Sequence, residues 1–193
     1  VVIITVSMLL GGLACARPAG VLFPQVDSPR VWPGPPEQAR IRHVGSLASS
    51  LHGQPRSTQD VDFVCQMKRE HVAMLGARLD PERYYFDEEM ATDAVRRCSM
   101  LNIIDMASGW KADIIIPKWT RHARSEFPRR MQVAYGDVSL WCATPEDTLI
   151  AKLRWAKEGG SARQLEDASG IVRLQGNNLD AAYIAEWVLE LEL

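Results

Sequence analysis

The stretch that most constrains the fold of this chain is residues 45–62, which read GSLASSLHGQPRSTQDVD. We expect a strand at 41–44, directly before this stretch. The segment 46–52 has helical apolar spacing and ends at a glycine, so we expect a helix that starts directly from that strand. Residues 60–65 predict a second strand. A strand, a turn, a helix and a second strand in this order are typical of an α/β fold.

Two aspartates, Asp60 and Asp62, begin the second strand with one valine between them. Side chains at positions i and i+2 of a strand point to the same face, so these carboxylates are expected to share one small volume. Two such carboxylates either retain a proton or hold a cation between them. Mg²⁺ prefers oxygen ligands and commonly binds one or two carboxylates together with nucleotide phosphates. The pair therefore predicts a site for Mg²⁺ or Mn²⁺.

The turn before the helix offers contacts for those phosphates. The free N–H groups at a helix N-terminus attract anions. Gly45 permits close approach of the backbone, Ser46 adds a hydroxyl group, and Arg56 supplies a positive charge. We expect these three residues to bind the phosphates of a nucleoside triphosphate.

The glycine-serine pair at 45–46, thirteen intervening residues and the Asp-Val-Asp at 60–62 resemble the signature of a known family. This family is the nucleotidyltransferase superfamily related to DNA polymerase beta. The resemblance implies a third carboxylate on a neighbouring strand, and the aspartate of GWKADIIIP is the matching candidate. The catalytic and metal-binding residues that it implies are Asp60, Asp62 and Asp113.

Two C-terminal segments extend the resemblance. PEDTLIAKLRW and the later RQLEDASGIV are similar to the KLxA and RDxxD-like segments of AbiEii-type toxin nucleotidyltransferases and uncharacterised bacterial relatives. The resemblance covers roughly residues 41–187 and implies that Lys152 contacts the nucleotide, although an exposed helical lysine without that role is equally typical. Two features depart from the family. RQLED, which contains Asp167, stands in place of RD-x-x-D, and the usual helix before the first strand is not evident.

Taken together, the resemblance implies a mixed α/β (α+β) nucleotidyltransferase fold with a short mixed sheet and a C-terminal helical bundle. The implied reaction is metal-dependent transfer of a nucleoside monophosphate to RNA, a protein hydroxyl or a small molecule, with an antitoxin as a partner. A non-catalytic binding or regulatory protein of the same fold is the main alternative. A glycosyltransferase using the Asp-x-Asp is another, but it usually needs a larger nucleotide-binding domain before that motif.

Charge and cysteine content bear on the class of protein. The chain has 193 residues, a net charge of -2 and 47% hydrophobic residues, so it is too apolar for a disordered protein. Near-neutrality argues against a nucleic-acid binder that relies on bulk positive charge. Four widely spaced cysteines predict reduced, mostly buried thiols in a cytoplasmic protein, with no membrane contact expected. These cysteines are Cys15, Cys65, Cys98 and Cys142.

Three parts of the chain are predicted. They are an irregular, proline-rich segment at 1–38, a nucleotidyltransferase core at 39–143 and a helical part at 144–193. Basic residues within 117–130 predict a solvated loop or a nucleic-acid contact. Further predicted elements are helices at 70–79, 87–97, 144–159, 162–174 and 180–191, strands at 101–106 and 112–116, and a hairpin at 131–142 turned at Gly136-Asp137.

Each predicted ligand also has a structural alternative. The paired strand aspartates can be surface carboxylates at a strand end. Asp113 can form a salt bridge with Lys111 or an arginine, and Arg56 can pair with Asp60. Ser46 can cap the helix. The histidines share no spacing that indicates a metal or a catalytic dyad, and we expect core or surface roles for His43, His52, His71 and His122.

Overall fold

The computed structural model describes residues 40–55, 57–135 and 138–193. Arg56, the segment predicted at 1–38 and the predicted turn at Gly136-Asp137 lie outside the described residues. The strands in the described part are β1 (Ile41–Val44), β2 (Asp60–Cys65), β3 (Tyr84–Tyr85), β4 (Met100–Asp105), β5 (Lys111–Ile115), β6 (Met131–Tyr135) and β7 (Val138–Cys142).

Seven α-helices alternate with these strands or follow them in the described residues. None of the helices described has both the length and the apolar character needed to cross a membrane. The helices are α1 (Gly45–His52), α2 (Arg69–Gly76), α3 (Glu88–Arg97), α4 (Arg121–Glu126), α5 (Pro145–Gly159), α6 (Ala162–Gln175) and α7 (Ala181–Glu190), with a short 3-10 turn at Gly176–Asn178 between the last two.

The described strands form a seven-stranded mixed sheet in the order β3-β4-β5-β2-β1-β7-β6. The pairs β3-β4, β4-β5 and β6-β7 are antiparallel. By contrast, β1 and β7 are parallel, with His43 opposite Cys142. The α/β class with a mixed sheet that the sequence predicts is therefore confirmed.

Contacts divide the chain into two compact units. The first contains Gln59–Val61 and Cys65–Ile116, and the second contains Arg42–Thr58, Asp62–Val64 and Pro117–Leu193. Strand β2 contributes residues to both units.

The first unit is built on the β4-β5 hairpin, whose register places Asn102 opposite Asp113. Its turn is fixed by Asp105, a fully buried carboxylate that accepts bonds from the N–H groups of Ala107 and Ser108. The Arg83 guanidinium also donates to Asp105, so the buried charge is paired. Helices α2 and α3 complete this unit.

The second unit contains the strands β1, β6 and β7 and the C-terminal helices. Helix α5 begins at Thr144, whose hydroxyl oxygen accepts a bond from the Asp147 N–H, with Pro145 at the first helical position. A buried cluster of Leu149, Ala168 and Ile171 joins α5 to α6. The apolar residues that recur at helical spacing in the C-terminal segments therefore pack the helices against one another.

Most predicted elements are confirmed to within a few residues, including β1, α1, β2 and the Asp87 cap of α3. The loop predicted at 117–130 is wrong in part because it contains α4. Thr120 caps this helix by accepting a bond from the Ala123 N–H. The basic side chains of that segment also form ion pairs within the second unit, such as Arg121 with Glu186.

Candidate active site

Gly45 begins α1 and lies against the carboxylate of Asp62. A Cβ atom placed on Gly45 would stand 2.0 Å from Asp62 Oδ2 and 2.9 Å from Asp62 Cβ, and the backbone of Gly45 has a positive φ of 61°. Only glycine meets both conditions without strain. The glycine-serine turn and the second aspartate of the Asp-x-Asp, predicted as parts of one site, are therefore in contact.

The start of α1 lacks the usual groups that complement a helix N-terminus. Its N-cap residue, Val44, makes no side-chain capping bond, and its first turn contains no acidic residue. Ser46, which the sequence offered as a cap, is the second residue of α1, and Val44 holds the N-cap position. The carboxylate beside Gly45 thus comes from β2, as expected for an anion near the positive end of the helix dipole.

Asp113 lies on β5 in the first unit and is buried. Asn102 Nδ2 donates a hydrogen bond to its Oδ1 atom from the opposite position on β4. The Lys111 ammonium lies 2.9 Å from the Oδ2 atom of the same carboxylate. The salt bridge that the sequence offered as an alternative for Asp113 is therefore present, and its metal-binding role stays a prediction.

Lys111 also approaches Asp60, with 3.8 Å between its Nζ atom and Asp60 Oδ1. The two residues come together because the Lys111 N–H donates to the carbonyl oxygen of Gln59, next to Asp60 in sequence. A cationic group thus lies close to two predicted metal ligands. The ammonium pairs with these carboxylates, whose oxygen atoms are also donors that fit a hard divalent ion.

Lys152 is buried. The helical pattern predicted instead that it lies beside the buried face of α5. Its Nζ atom lies 2.7 Å from Asp167 Oδ2, and the side chains are 5% and 9% exposed. The pair links α5 to α6 within the second unit. Asp167, the aspartate of the imperfect RQLED segment, therefore has a structural partner in the lysine of the preceding motif.

A second acidic cluster, which sequence analysis missed, contains His122, Glu126 and Asp147. Ligand atoms of these three residues lie within 4.8 Å of one another. The carboxylates already have other partners, since Arg42 lies 2.8 Å from Glu126 and the Tyr183 hydroxyl donates to Asp147. The Arg42 guanidinium and the Tyr183 hydroxyl account for this cluster as a buried polar network. The sequence contains one signal for this cluster, the i, i+4 spacing of His122 and Glu126. That spacing brings two side chains together only in a helix, and α4 was not predicted.

Of the core or surface roles expected for the histidines, the structure shows the core role, because all four are buried. His43 Nδ1 lies 2.8 Å from the carbonyl oxygen of Trp141, and His52 Nε2 lies 2.7 Å from that of Ala143. Burial lowers the pKa of His43 to about 4 despite its hydrogen bond to the backbone. This histidine is therefore neutral at physiological pH.

Asn102 and Lys111 are the contacts of Asp113 that sequence analysis did not assign to the site. Lys111 lies two residues from Asp113 and shares its face of β5, which is a signal that the sequence contains. The partnership of Asn102 depends on the hairpin register, in which residues 102 and 113 face each other. That register could be derived only from an exact placement of the turn between the strands.

No protein-family model matches the sequence, and no curated protein matches it. Among solved structures, the chain is similar to an antigenic nucleotidyltransferase-like protein from Paracoccidioides brasiliensis. The identity is 12%, 79% of each chain is covered and the TM-score is 0.48. It is also similar to the antibiotic-resistance factor ANT(2'')-Ia, at 13% identity, covering 80% of this chain and 86% of that chain with a TM-score of 0.44. At these TM-scores neither similarity assigns a reaction or a substrate to this chain.

Proposed function

We propose that this chain is a metal-dependent nucleotidyltransferase, which moves a nucleoside monophosphate from a nucleoside triphosphate to an acceptor hydroxyl group. The observation that carries the proposal is the contact between the Asp62 carboxylate and the Gly45 backbone at the start of α1. Carboxylate oxygen atoms suit a divalent ion, and the N-terminus of a helix favours phosphate, so this contact supports a site that combines the two. The Lys111 ammonium lies near Asp60 and Asp113, and the proposal requires the metal ion to displace it.

In this proposal Asp60, Asp62 and Asp113 hold Mg²⁺ or Mn²⁺. When bound, the ion neutralises negative charge on the triphosphate and on the leaving pyrophosphate. Gly45 and Ser46 bind phosphate oxygen atoms through backbone N–H groups and the serine hydroxyl.

The reaction is an in-line displacement at the α-phosphorus. The acceptor oxygen forms a bond to that phosphorus, the bond to the pyrophosphate oxygen breaks, and pyrophosphate leaves with the electron pair. Asp113 accepts the proton of the acceptor hydroxyl group. Asn102 orients this carboxylate by donating to its Oδ1 atom, and the Lys111 ammonium lies beside its Oδ2 atom.

Two further residues are proposed to contact the nucleotide on the basis of the sequence. Arg56 is proposed as a phosphate ligand. Lys152 is proposed as a nucleotide contact from the family resemblance, and this contact requires its ammonium to leave the Asp167 carboxylate.

The acceptor is proposed to be an RNA or protein hydroxyl group in the cytoplasm, with an antitoxin protein as the regulatory partner. The support for this part is the resemblance of residues 145–155 and 163–172 to AbiEii-type toxins. Purification of the chain with a co-expressed neighbouring gene product would test the partner.

The test of the transfer reaction begins with calorimetric titration of the four nucleoside triphosphates, with and without Mg²⁺. The variants are Asp62→Asn and Asp113→Asn, and Asp93→Asn is the matched control because it removes the same charge from an exposed helix position. We expect magnesium-dependent binding in the native chain and the control, and its loss in the two site variants. Nucleotides labelled at the α-phosphate would then identify the acceptor by transfer of label to RNA or protein.

Two results would contradict the proposal. If the folded native chain binds no nucleoside triphosphate, the non-catalytic regulatory protein is the better interpretation. If it prefers sugar nucleotides over nucleoside triphosphates, the Asp-x-Asp belongs to a glycosyltransferase.

A further inference from the structure

Lys111 occupies the position in the first unit where two predicted metal ligands meet. Its ammonium lies 2.9 Å from Asp113 Oδ2 and 3.8 Å from Asp60 Oδ1. The side chain of Lys111 is 35% exposed, compared with 10% for Asp113. The ammonium therefore contacts the buried carboxylate from the solvent side, and it can withdraw into water without breaking the core.

The oxygen atoms of Asp113 have separate partners. Asn102 donates to Oδ1, and Lys111 pairs with Oδ2. Because the Asn102 bond does not involve Lys111, departure of the ammonium leaves the carboxylate held in place. The Oδ2 atom would then be available to another cation.

An ammonium group and a divalent cation compete for the same carboxylate oxygen atoms. The ammonium is a compact, strongly hydrated point charge on a flexible stem. A metal ion with two charges attracts the same oxygen atoms more strongly, and the two cations repel each other at this distance. Binding of one therefore requires displacement of the other.

We propose that Lys111 is an internal competitor of the divalent cation. Its ammonium neutralises Asp60 and Asp113 while no metal is bound, and the arriving ion displaces it. Lys111 thereby sets the metal concentration at which the site fills. The inference rests on the proposed function, since it assumes that the ion binds these two aspartates.

The experiment measures binding of Mn²⁺ alone, by the loss of the free-ion paramagnetic resonance signal, so no nucleotide or activity is involved. Lys111→Met removes the charge but keeps most of the stem, and Lys118→Met is the matched control at an exposed position. We expect Lys111→Met to bind Mn²⁺ about tenfold more tightly than the native chain, the effect of removing one partly exposed competing charge. We expect Lys118→Met to change the affinity less than about twofold, since solvent and salt screen the charge of an exposed side chain.

Two more variants test whether a change in Mn²⁺ affinity comes from the charge of Lys111 and from this site. Lys111→Arg retains the charge, and we expect it not to tighten binding, which separates competition from a change of packing. Asp113→Asn identifies the site, and we expect it to weaken binding in the native and Lys111→Met backgrounds alike. Far-UV circular dichroism establishes that each variant is folded.

The possible failures are distinguishable. If Lys111→Met binds Mn²⁺ no more tightly than the native chain while Asp113→Asn still abolishes binding, Lys111 is not a competitor, but the metal site of the proposed function stands. If neither the native chain nor Lys111→Met binds Mn²⁺, both the inference and the proposed metal site are wrong.

Discussion

Replacing Gly45 by alanine tests the contact on which the proposed site depends. The variant has two costs that can be separated. A non-glycine residue at a φ of 61° costs about 1 kcal/mol or more. The new Cβ would also lie 2.0 Å from Asp62 Oδ2 and 2.9 Å from Asp62 Cβ. Rotation of the carboxylate relieves the first of these contacts but not the second, because the Asp62 Cβ atom is fixed by the backbone of β2.

Overpacking of this kind costs about 1–3 kcal/mol. We therefore expect Gly45→Ala to lower the free energy of unfolding by about 3 kcal/mol, measured by urea denaturation. Gly160→Ala is the matched control, since Gly160 has the same φ of 61° and open space where its Cβ would lie. It should cost only about 1 kcal/mol.

The double variant Gly45→Ala/Asp62→Ala completes the cycle. It removes the Oδ2 and Cγ contacts and leaves the Cβ contact, so we expect it to recover at least about 1 kcal/mol as a coupling energy. Equal losses for Gly45→Ala and Gly160→Ala, to within about 0.5 kcal/mol, would refute the contact.

Three further predictions concern buried groups of the chain. Lys152→Met removes the ammonium that lies against the largely buried Asp167 carboxylate, so we expect a loss of about 3 kcal/mol in urea denaturation, partly restored in Lys152→Met/Asp167→Leu. The pKa of His43 is lowered from 6.5 to about 4, so between these values the unfolded chain binds a proton that the folded chain does not. Stability should therefore fall as the pH drops through this window, by up to about 1.4 kcal/mol per pH unit from this residue, and His43→Gln should reduce the slope. Burial raises the pKa of the Cys65 thiol to about 12, so iodoacetamide should modify half-buried Cys98 well before Cys65, as read by peptide mass spectrometry.

Each of these has a clear contrary outcome. A single variant Lys152→Met as stable as the native chain would mean that the pair is solvated. Parallel pH profiles for His43→Gln and the native chain would mean that His43 titrates normally when folded. Equal alkylation of both cysteines in native buffer would contradict the burial of Cys65.

Local patterns were sufficient to predict much of the fold. The β1, α1 and β2 elements follow from apolar spacing, and the caps at Asp87 and Thr144 follow from side chains that hydrogen-bond the first turn of a helix. Helix α4 was missed because it is only six residues long and its sequence, RHARSE, has no clear apolar stripe. It is held by tertiary contacts, including the ion pair of Glu126 with Arg42 of β1, which lies far away in the sequence.

The candidate site also has features that local patterns predict and features that they do not. Contact between Gly45 and Asp62 was predictable because both lie in one strand-helix-strand motif. The burial of Lys152 was not predictable. Its position on α5 has the pattern of a polar, exposed residue, and the lysine is buried only because Asp167 of α6 packs against it. Predicting such a pair requires the packing of two helices, which no pattern within either helix contains.

The parallel pairing of β1 with β7 also bears on how the protein is made. The His43 ring donates a hydrogen bond to the carbonyl oxygen of Trp141, which lies 98 residues further along the chain. At a synthesis rate of about 5–20 residues per second, β1 leaves the ribosome about 5–20 s before β7 exists. During that interval the first unit can fold. The backbone groups of β1 that later pair with β7 are meanwhile exposed to chaperones or to a neighbouring nascent chain.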